Sequence, residues 1–406
     1  MSEYQMLNAI SEYVDEHCEE AVSFLQELVR TPSISLNEAE VAQVIADKMR
    51  WAGFDSVYVD SLHDVMGTIE GVGNGRSILF NGHIDHVPVG DMVNPYSGEI
   101  TEGAMYGVDG KAVYGRGASD MKASVAAMVI AGSLLNDLGI KLAGDFKVAA
   151  VSQEEIGGAG TVATIEQSQF LGDFVIIGEA TNMEVALGHR GSTKAEVVVK
   201  GRSCHASAPE RGINALYKAT DLINKIRSDL VPNLPDHPLY GKTTLTAIRI
   251  LVKPDASNVV PEECMVTLDC RYNPNFSVQK LNESIEELIT CLKNEDDEFI
   301  AHIVPREARM HFSGYYTDPE EFPVIGKAIK AVSEVLGKGP KVGTWRFATD
   351  GRFYAWRGLP VFGFGPGEER FAHTHQDHVR IEDYLNSVKV YTWLACTICG
   401  LSGVGS

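Results

Sequence analysis

The stretch YGRGASDMKASVAAMVIAGSLLNDLGIKLAGDFKVAAVSQEE, residues 114–155, decides how this chain is read. Lys122 to Leu138 reads as a long helix, and the apolar run Phe146–Val151 as a strand. The strand leads straight into Glu154 and Glu155, and Asp120 stands just ahead of the helix. The same alternation extends on both sides. Val57–Val59, Val65–Ile69, Ser77–Asn81 and Phe174–Ile177 are strand-like, and Ala39 to Met49 reads as a helix. Residues 4–30 carry apolar positions at helical spacing (Leu7, Ile10, Val14, Val22, Leu25, Leu28, Val29), which predicts one amphipathic helix ended by Thr31-Pro32-Ser33. Short strands alternating with helices predict an α/β fold with a mostly parallel central sheet.

The pattern changes near residue 190. Lys194–Lys200, Thr244–Val252, Met265–Tyr272 and Phe299–Val304 read as strands, with helices at Asn214–Leu230 and Val278–Lys293. This βαββαβ order suits an inserted α+β domain of ferredoxin-like type. Asp318 and Pro319 then read as the cap and first position of a helix running to Leu336, with Pro323 able to delay its start. Gly358–Phe364 gives a strand, and a last helix follows Ile381. The expected division is residues 1–190 and 308–406 as the two parts of a catalytic domain, with residues 191–307 inserted as a second domain.

A chain of 406 residues exceeds the size at which single cores stop growing, so more than one domain is expected. Hydrophobic residues make up 44% and charged residues 22%, which excludes disorder or coiled coil as the main content. With 35 Lys+Arg against 55 Asp+Glu the net charge is −20, which argues against nucleic acid and anionic membranes as partners. No run of 18 apolar residues and no basic-then-apolar leader is present, so neither a membrane span nor a signal peptide is expected. Seven scattered cysteines do not suggest a disulfide framework, and the lone Cys396/Cys399 pair has no second ligand pair beside it. These features point to the reducing cytoplasm.

What stands after the strands carries the chemistry. His83 and Asp85 follow one strand, Asp120 precedes the long helix, Glu154 and Glu155 follow another strand, and Glu179 follows a third. Late in the chain comes Ala-His-Thr-His-Gln-Asp-His, residues 372–378. Ligands of α/β sheets bind at the carboxyl ends of strands. A lone His-x-Asp is an ordinary surface pair, a lone Glu-Glu a solvated face, and an Asp before a helix a cap. Together they are acids that repel unless a cation holds them.

The runs NGHIDHVP (81–88), YGRGASDMKA (114–123), SQEEIGGAG (152–160), GEAT (178–181), GRSCHASAPERGINA (201–215), NVVPEE (258–263), DCRYNP (269–274), FGPG (364–367) and AHTHQD (372–377) recur in order over nearly the whole chain. In these runs the chain resembles the dinuclear zinc exopeptidase and deacylase family that contains acetylornithine deacetylase, succinyl-diaminopimelate desuccinylase, carboxypeptidase G and the aminoacylases. In SCHASAPERG (203–212) and WRFATDG (345–351) it resembles a subgroup of hydrolases linked to selenium metabolism. The resemblance implies a zinc-exopeptidase-like catalytic domain with an inserted lid and dimerisation domain. It implies two divalent metal ions per subunit, zinc first, with cobalt or manganese able to substitute. His83 and Glu179 would hold one ion, Glu155 and His373 the other, with Asp120 bridging. Asp85 would orient His83, Glu154 would be the general base, and the Asp120–Met121 peptide would be cis. His205 would donate to the tetrahedral intermediate, commonly from the other subunit of a homodimer. Arg190, Asn258 and Arg271 would contact a substrate carboxylate; by themselves the arginines could equally pair with nearby acids.

The chain departs from that pattern in two places. His373-Thr-His-Gln376-Asp377 stands where desuccinylases have His-x-x-Asn-Glu, so His373 aligns as the ligand and His375 and His378 as neighbours. Phe347-Ala348-Thr349-Asp350 stands where they have Gly-Thr-Ser-Asp, which disfavours a succinyl group. The expected activity is hydrolysis of the amide bond of a small N-acyl amino acid or short peptide with a free carboxylate. The rivals are a carbamoyl C–N hydrolase on the same metals, a phosphoesterase, and a non-catalytic binding module; the last has no use for Glu154.

Overall fold

The computed structural model describes residues 2–305 and 313–402. The chain divides into two compact units. One comprises Met1–Gly188, Thr317–Trp345 and Thr349–Ser406, and the other His189–Tyr316 with Arg346–Ala348. The expected boundary between residues 307 and 308 lies outside the described residues.

The first unit opens with α1 (Glu3–Glu16) and α2 (Cys18–Arg30). The single helix expected over 4–30 is therefore broken at His17. The His17 ring bonds to the Tyr13 carbonyl at 2.9 Å and stacks on the Tyr13 ring, tying off the end of α1 locally. Glu19 and Glu20 then open α2, where acids suit a helix N-terminus. Helix α3 (Ala39–Trp51) follows, then the strands β1 (Ser56–Val59), β2 (Val65–Ile69) and β3 (Ile78–His83). A small hairpin of β4 (Glu99–Glu102) and β5 (Lys111–Tyr114) precedes α4 (Ala123–Asp137). Then come β6 (Phe146–Val151), α5 (Ala159–Glu166), β7 (Phe174–Ile177) and β8 (Val185–His189).

The second unit contains β9 (Gly191–Lys200), β10 (Cys204–His205), α6 (Ala215–Lys225), β11 (Thr244–Lys253), β12 (Val259–Val260) and β13 (Glu263–Tyr272). Helix α7 (Val278–Glu295), β14 (Ile300–Val304) and β15 (Tyr315–Tyr316) complete it. Its main sheet has the order β11-β13-β9-β14 with every pairing antiparallel, as βαββαβ connectivity requires. Val197, Val199, Val266 and Leu268 meet Leu222, Leu281 and Ile285 of the two helices in one core.

The chain returns to the first unit with α8 (Val324–Leu336), β16 (Val342–Trp345), α9 (Gly351–Ala355), β17 (Val361–Gly363), β18 (His378–Arg380) and α10 (Ile381–Cys399). Helix α8 starts at Val324 rather than beside Asp318. Asp318 instead caps a separate turn, accepting from the Glu320 and Phe322 amides. Pro323 disfavours helical geometry at Phe322 and so resets the start.

The central sheet of this unit has the order β1-β2-β6-β3-β7-β17-β8, with β16 beside β8. Strands β6, β3, β7 and β17 are mutually parallel, and the flanking pairs are antiparallel. This is the expected α/β class. The parallel strands are buried almost throughout and mostly apolar because they are covered on both faces. The helical stretch 118–137 is long and apolar enough to cross a membrane by length and composition alone, but its most apolar 18-residue window is buried in this core. All seven cysteines are free.

Candidate metal centre

Strand register explains why the predicted groups meet. His83 ends β3 level with Val151 of β6, and Asn81 is level with Ile177 of β7. Glu154 and Glu155 after β6, and Glu179 after β7, therefore emerge beside His83 at the carboxyl edge of the parallel strands. Asp120 and His373 reach that edge by another route. Strand β18 pairs with β5 (Tyr114 opposite His378), which sets the 372–377 loop against the 115–120 loop. Asp377 fastens the two, accepting from the Gly117 amide at 2.7 Å, the Ser119 amide at 2.9 Å and Arg116 Nη1 at 3.2 Å.

The two imidazoles approach the Asp120 carboxylate from its two oxygens. His83 Nε2 is 2.9 Å from Oδ1, and His373 Nε2 is 3.1 Å from Oδ2. His83 Nε2 also lies 3.7 Å from Glu179 Oε1, and His373 Nε2 lies 2.9 Å from Glu155 Oε1. Two sets of ligand atoms lie within 4.8 Å of one another: His83, Asp120 and Glu155, and His83, Glu154 and Glu179. Glu154 thus stands within ligating reach of the same site. The Asp120–Met121 peptide is cis.

The electrostatics call for positive charge. Burial opposes a charged His83, yet Asp120 and Asp85 outweigh it and hold its pKa well above the ordinary value. Asp120 and Glu155 raise that of His373 to about 10. Burial, and then the Asp120 charge, push Glu179 well above the carboxylate range. Glu154 is pushed up by burial and then by Asp350. Divalent cations bound through the imidazole lone pairs and these carboxylates would meet the same demand. The donor set suits such ions: two imidazoles and three carboxylates, mixed nitrogen and oxygen. Glu179 Oε2 is buried with no hydrogen-bond partner, as an oxygen intended for a cation would be.

The surroundings of Asp85 differ from expectation. The nearer partner of His83 Nδ1 is the Asp85 backbone carbonyl, at 2.9 Å, with the carboxylate Oδ1 at 3.5 Å. That carboxylate mainly accepts from the Ser35 hydroxyl at 2.7 Å and from the Glu154 and Glu155 amides at 3.1 and 3.3 Å. His375 is exposed. His378 is buried, with Nδ1 2.6 Å from the Gln376 carbonyl and its ring stacked on Tyr106. The thiols of Cys396 and Cys399 are buried and pushed up to about 12, the state of inert core cysteines.

The other predicted residues belong to the second unit. His205 is exposed, with Nδ1 2.7 Å from the Ser207 hydroxyl. Strand pairing sets it opposite Val259, next to Asn258, whose carbonyl accepts from the Ala206 amide. Arg190 donates to the Lys242 carbonyl at 3.3 Å. Arg271 is paired with Asp269, two residues earlier.

Sequence reading gave no role to Ser35, Glu38, Asp377 or Asp350. Asp350 is buried with neither oxygen hydrogen-bonded, and Arg352 Nη2 lies 3.6 Å away. Asp377 closes the run AHTHQD (372–377), and Ser35 and Glu38 have the spacing of a helix-capping pair.

A sequence model of "Peptidase family M20/M25/M40" matches residues 79–396. The chain is 31% identical over 393 residues to the uncharacterized protein YgeY of Escherichia coli K12, covering 92% of this chain and 94% of that one. It is 27% identical over 391 residues to a succinyl-diaminopimelate desuccinylase of Thioalkalivibrio sulfidiphilus, covering 92% and 97%. Among solved structures, the aminopeptidase PepT of Bacillus cereus superposes with a TM-score of 0.73 at 19% identity, covering 94% and 98%. A dinuclear metal-binding peptidase of the M20 family from Bacillus subtilis gives 0.72 at 15% identity, covering 95% and 99%. The family match over most of the chain, together with full-length similarity to YgeY, establishes that this protein belongs to peptidase family M20/M25/M40, metal-dependent hydrolases of amide bonds.

Proposed function

We propose that the protein hydrolyses the amide bond of a small N-acyl amino acid or short peptide, using two divalent ions and Glu154 as general base. Zinc is the first choice for this donor set, with cobalt or manganese able to replace it. One observation carries the reading. Two imidazoles meet opposite oxygens of a single carboxylate, Asp120, with Glu155 beside one and Glu179 beside the other. His83, Asp120 and Glu179 would hold one ion, and Asp120, Glu155 and His373 the second. Bound there, the ions supply Lewis acidity that polarises the carbonyl and acidifies the attacking water.

The chain's own groups supply the rest. Glu154 takes the proton of the attacking water and returns it to the leaving nitrogen. A carboxyl held above its usual pKa by burial is suited to carry that proton between the two steps. Asp85 orients the His83 ring and fixes the backbone of both Glu154 and Glu155. His205 is assigned to donate to the oxyanion, and Arg190, Asn258 and Arg271 to bind the substrate carboxylate; Arg271 must then exchange Asp269 for substrate. A cytoplasmic homodimer formed through the second unit is part of the same reading. The Phe347-Ala348-Thr349-Asp350 loop favours a substrate other than a succinyl amide.

The test is metal content per chain for wild type and Glu154→Gln, with turnover of N-acetyl amino acids, dipeptides, carbamoyl compounds and phosphate esters. Two ions in both proteins, with amide turnover in the wild type alone, is the expected result. Absence of stoichiometric metal after zinc reconstitution would overturn it. Turnover confined to carbamoyl compounds or phosphate esters would move the activity to that class.

A further inference from the structure

The loop that carries Glu154 and Glu155 is held by acids from outside. Four successive amides each donate to a carboxylate. Ser152 donates to Asp64 at 2.7 Å and Gln153 to Glu38 at 3.3 Å. Glu154 and Glu155 donate to the two oxygens of Asp85, at 3.1 and 3.3 Å. Gln153 has φ +60°, the left-handed region, which a residue other than glycine keeps only where surrounding contacts impose it.

Two of those contacts trace to one short segment between α2 and α3. Glu38 is 1% exposed, and its Oε1 accepts from the Leu36 amide at 2.9 Å as well as from Gln153. Three residues earlier, Ser35 donates to Asp85 Oδ2 at 2.7 Å. The segment is itself anchored. Ser33 donates through its hydroxyl to the Ile84 carbonyl at 2.6 Å and through its amide to His86 Nε2 at 3.1 Å, and its carbonyl accepts from the His86 amide at 3.0 Å. It is therefore fixed to the strand end that carries His83 while it reaches across to the acidic loop.

We propose that Ser35 and Glu38 are positioning residues of the reaction, acting through Asp85 and Gln153 to set the directions of Glu154 and Glu155. The inference rests on the reading of Glu154 as base and Glu155 as metal ligand. Glu38 acts as an acceptor only, so a carbonyl oxygen in the same place can replace it. Without it, the Gln153 turn relaxes and swings the next two side chains together. Supports one step removed from metal ligands are typically worth about 10–100-fold in affinity or activity, and misplacing a reacting group by about 1 Å can cost ~10²-fold.

The experiment uses the full chain with Ser35→Ala, Glu38→Ala, Glu38→Gln and Glu154→Gln. It reads kcat and KM on an amide that the wild type cleaves, zinc affinity in competition with a chromogenic chelator, and Tm. Glu38→Ala is expected to lower kcat about 10–100-fold and to weaken the more loosely held zinc at least about tenfold, with KM within about threefold. Glu38→Gln restores both to within about threefold. Ser35→Ala, which loses one hydrogen bond, lowers kcat about 3–10-fold. A purely structural role lowers Tm while leaving kcat and zinc affinity of the folded protein unchanged, and that outcome overturns the proposal. So does a Glu38→Gln variant as impaired as Glu38→Ala. If Glu38→Ala does not fold, Glu38→Gln and Ser35→Ala decide by the same readouts. If Glu154→Gln retains turnover, the base assignment fails, and zinc affinity alone then judges Ser35 and Glu38.

Discussion

Replacing Asp377 with alanine should strongly destabilise the first unit. Asp377 is 1% exposed and Arg116 3%. Removing the carboxylate leaves the Gly117 and Ser119 amides without an acceptor and the Arg116 guanidinium without its carboxylate. Arg116 Nε already has no hydrogen-bond partner, so the remaining charge is poorly compensated. Breaking a buried pair by deleting one partner costs about 3–5 kcal/mol, and each orphaned buried amide about 1–3. These losses are not additive, because water enters the space left behind. An expectation of about 4–6 kcal/mol follows, against a typical total of about 5–15. The four tryptophans, Trp51, Trp345, Trp356 and Trp393, all lie in the first unit. Urea unfolding followed by tryptophan fluorescence therefore reports on the unit concerned. Asp377→Leu combined with Arg116→Met removes both charges and should recover about 2 kcal/mol or more relative to Asp377→Ala, because no buried charge is then unpaired. A loss below about 1 kcal/mol for Asp377→Ala would refute the view that this carboxylate ties the two ligand loops together.

Three further outcomes are expected. Stripping divalent metal with a chelator should lower Tm, and zinc at about 100 times its Kd should restore about 2.7 kcal/mol, since ions that bind only the folded site stabilise it by mass action; an unchanged Tm after verified stripping counts against the metal centre. Burial, and then the Lys122 charge, lower the pKa of His86 to about 4, so between roughly pH 6.5 and 4 the unfolded chain takes up a proton that the folded chain refuses. Stability conferred by the neutral ring is present above that window and is lost as pH falls through it, by up to about 3 kcal/mol; in metal-free protein, His86→Gln should flatten that part of the pH profile, and an identical profile would refute the assignment. Gly367→Ala should lower Tm and metal affinity together, because a methyl there overlaps the Ser119 carbonyl beside Asp120, and a backbone carbonyl cannot turn aside; melting within 1–2 °C of wild type would show that the loop yields, given that ~1 kcal/mol shifts Tm by about 2–4 °C in domains of this size.

The central strands were legible because being covered on both faces turns them into unbroken apolar runs such as Phe174–Ile177. The clustering of the candidate metal groups was legible because most of them follow such a run or open a helix, so one rule about strand ends gathers His83, Glu155 and Glu179. His373 needed the family resemblance, since its place depends on β18 pairing with β5, where His378 faces Tyr114 from 264 residues away, a contact that local pattern does not encode. The break at His17 was hidden because apolar spacing continues through it, and the end is marked by the contacts of the His17 ring and amide with Tyr13. Ser35 and Glu38 were hidden by their resemblance to a capping box. The pattern S-x-x-E before an apolar run usually means reciprocal bonds at one helix start, whereas here Ser35 bonds to Asp85 and Glu38 takes the Gln153 amide as well as the local Leu36 amide. Asp85 shows a subtler limit. Its proximity to His83 was readable, but not that its carbonyl would take the nearer contact and leave the carboxylate for the acidic loop.

The order of the central sheet has a consequence for how the chain comes off the ribosome. Strand β17 lies between β7 and β8, yet it is made long after either. When residue 188 has been added, four of the five candidate metal-binding side chains and most of the sheet exist, but β7 and the nascent β8 each present an open edge. Such edges pair with whatever strand is nearby. The missing strand arrives about 170 residues later, roughly 10–35 s at ordinary elongation rates of ~5–20 residues per second. During that interval the second unit, nearly continuous in the chain, can complete its own core. Its interruption of the first unit therefore sets a fixed delay in assembly, during which the half-built catalytic sheet must be shielded, and the last helix to emerge, α10, is the one that closes over α4.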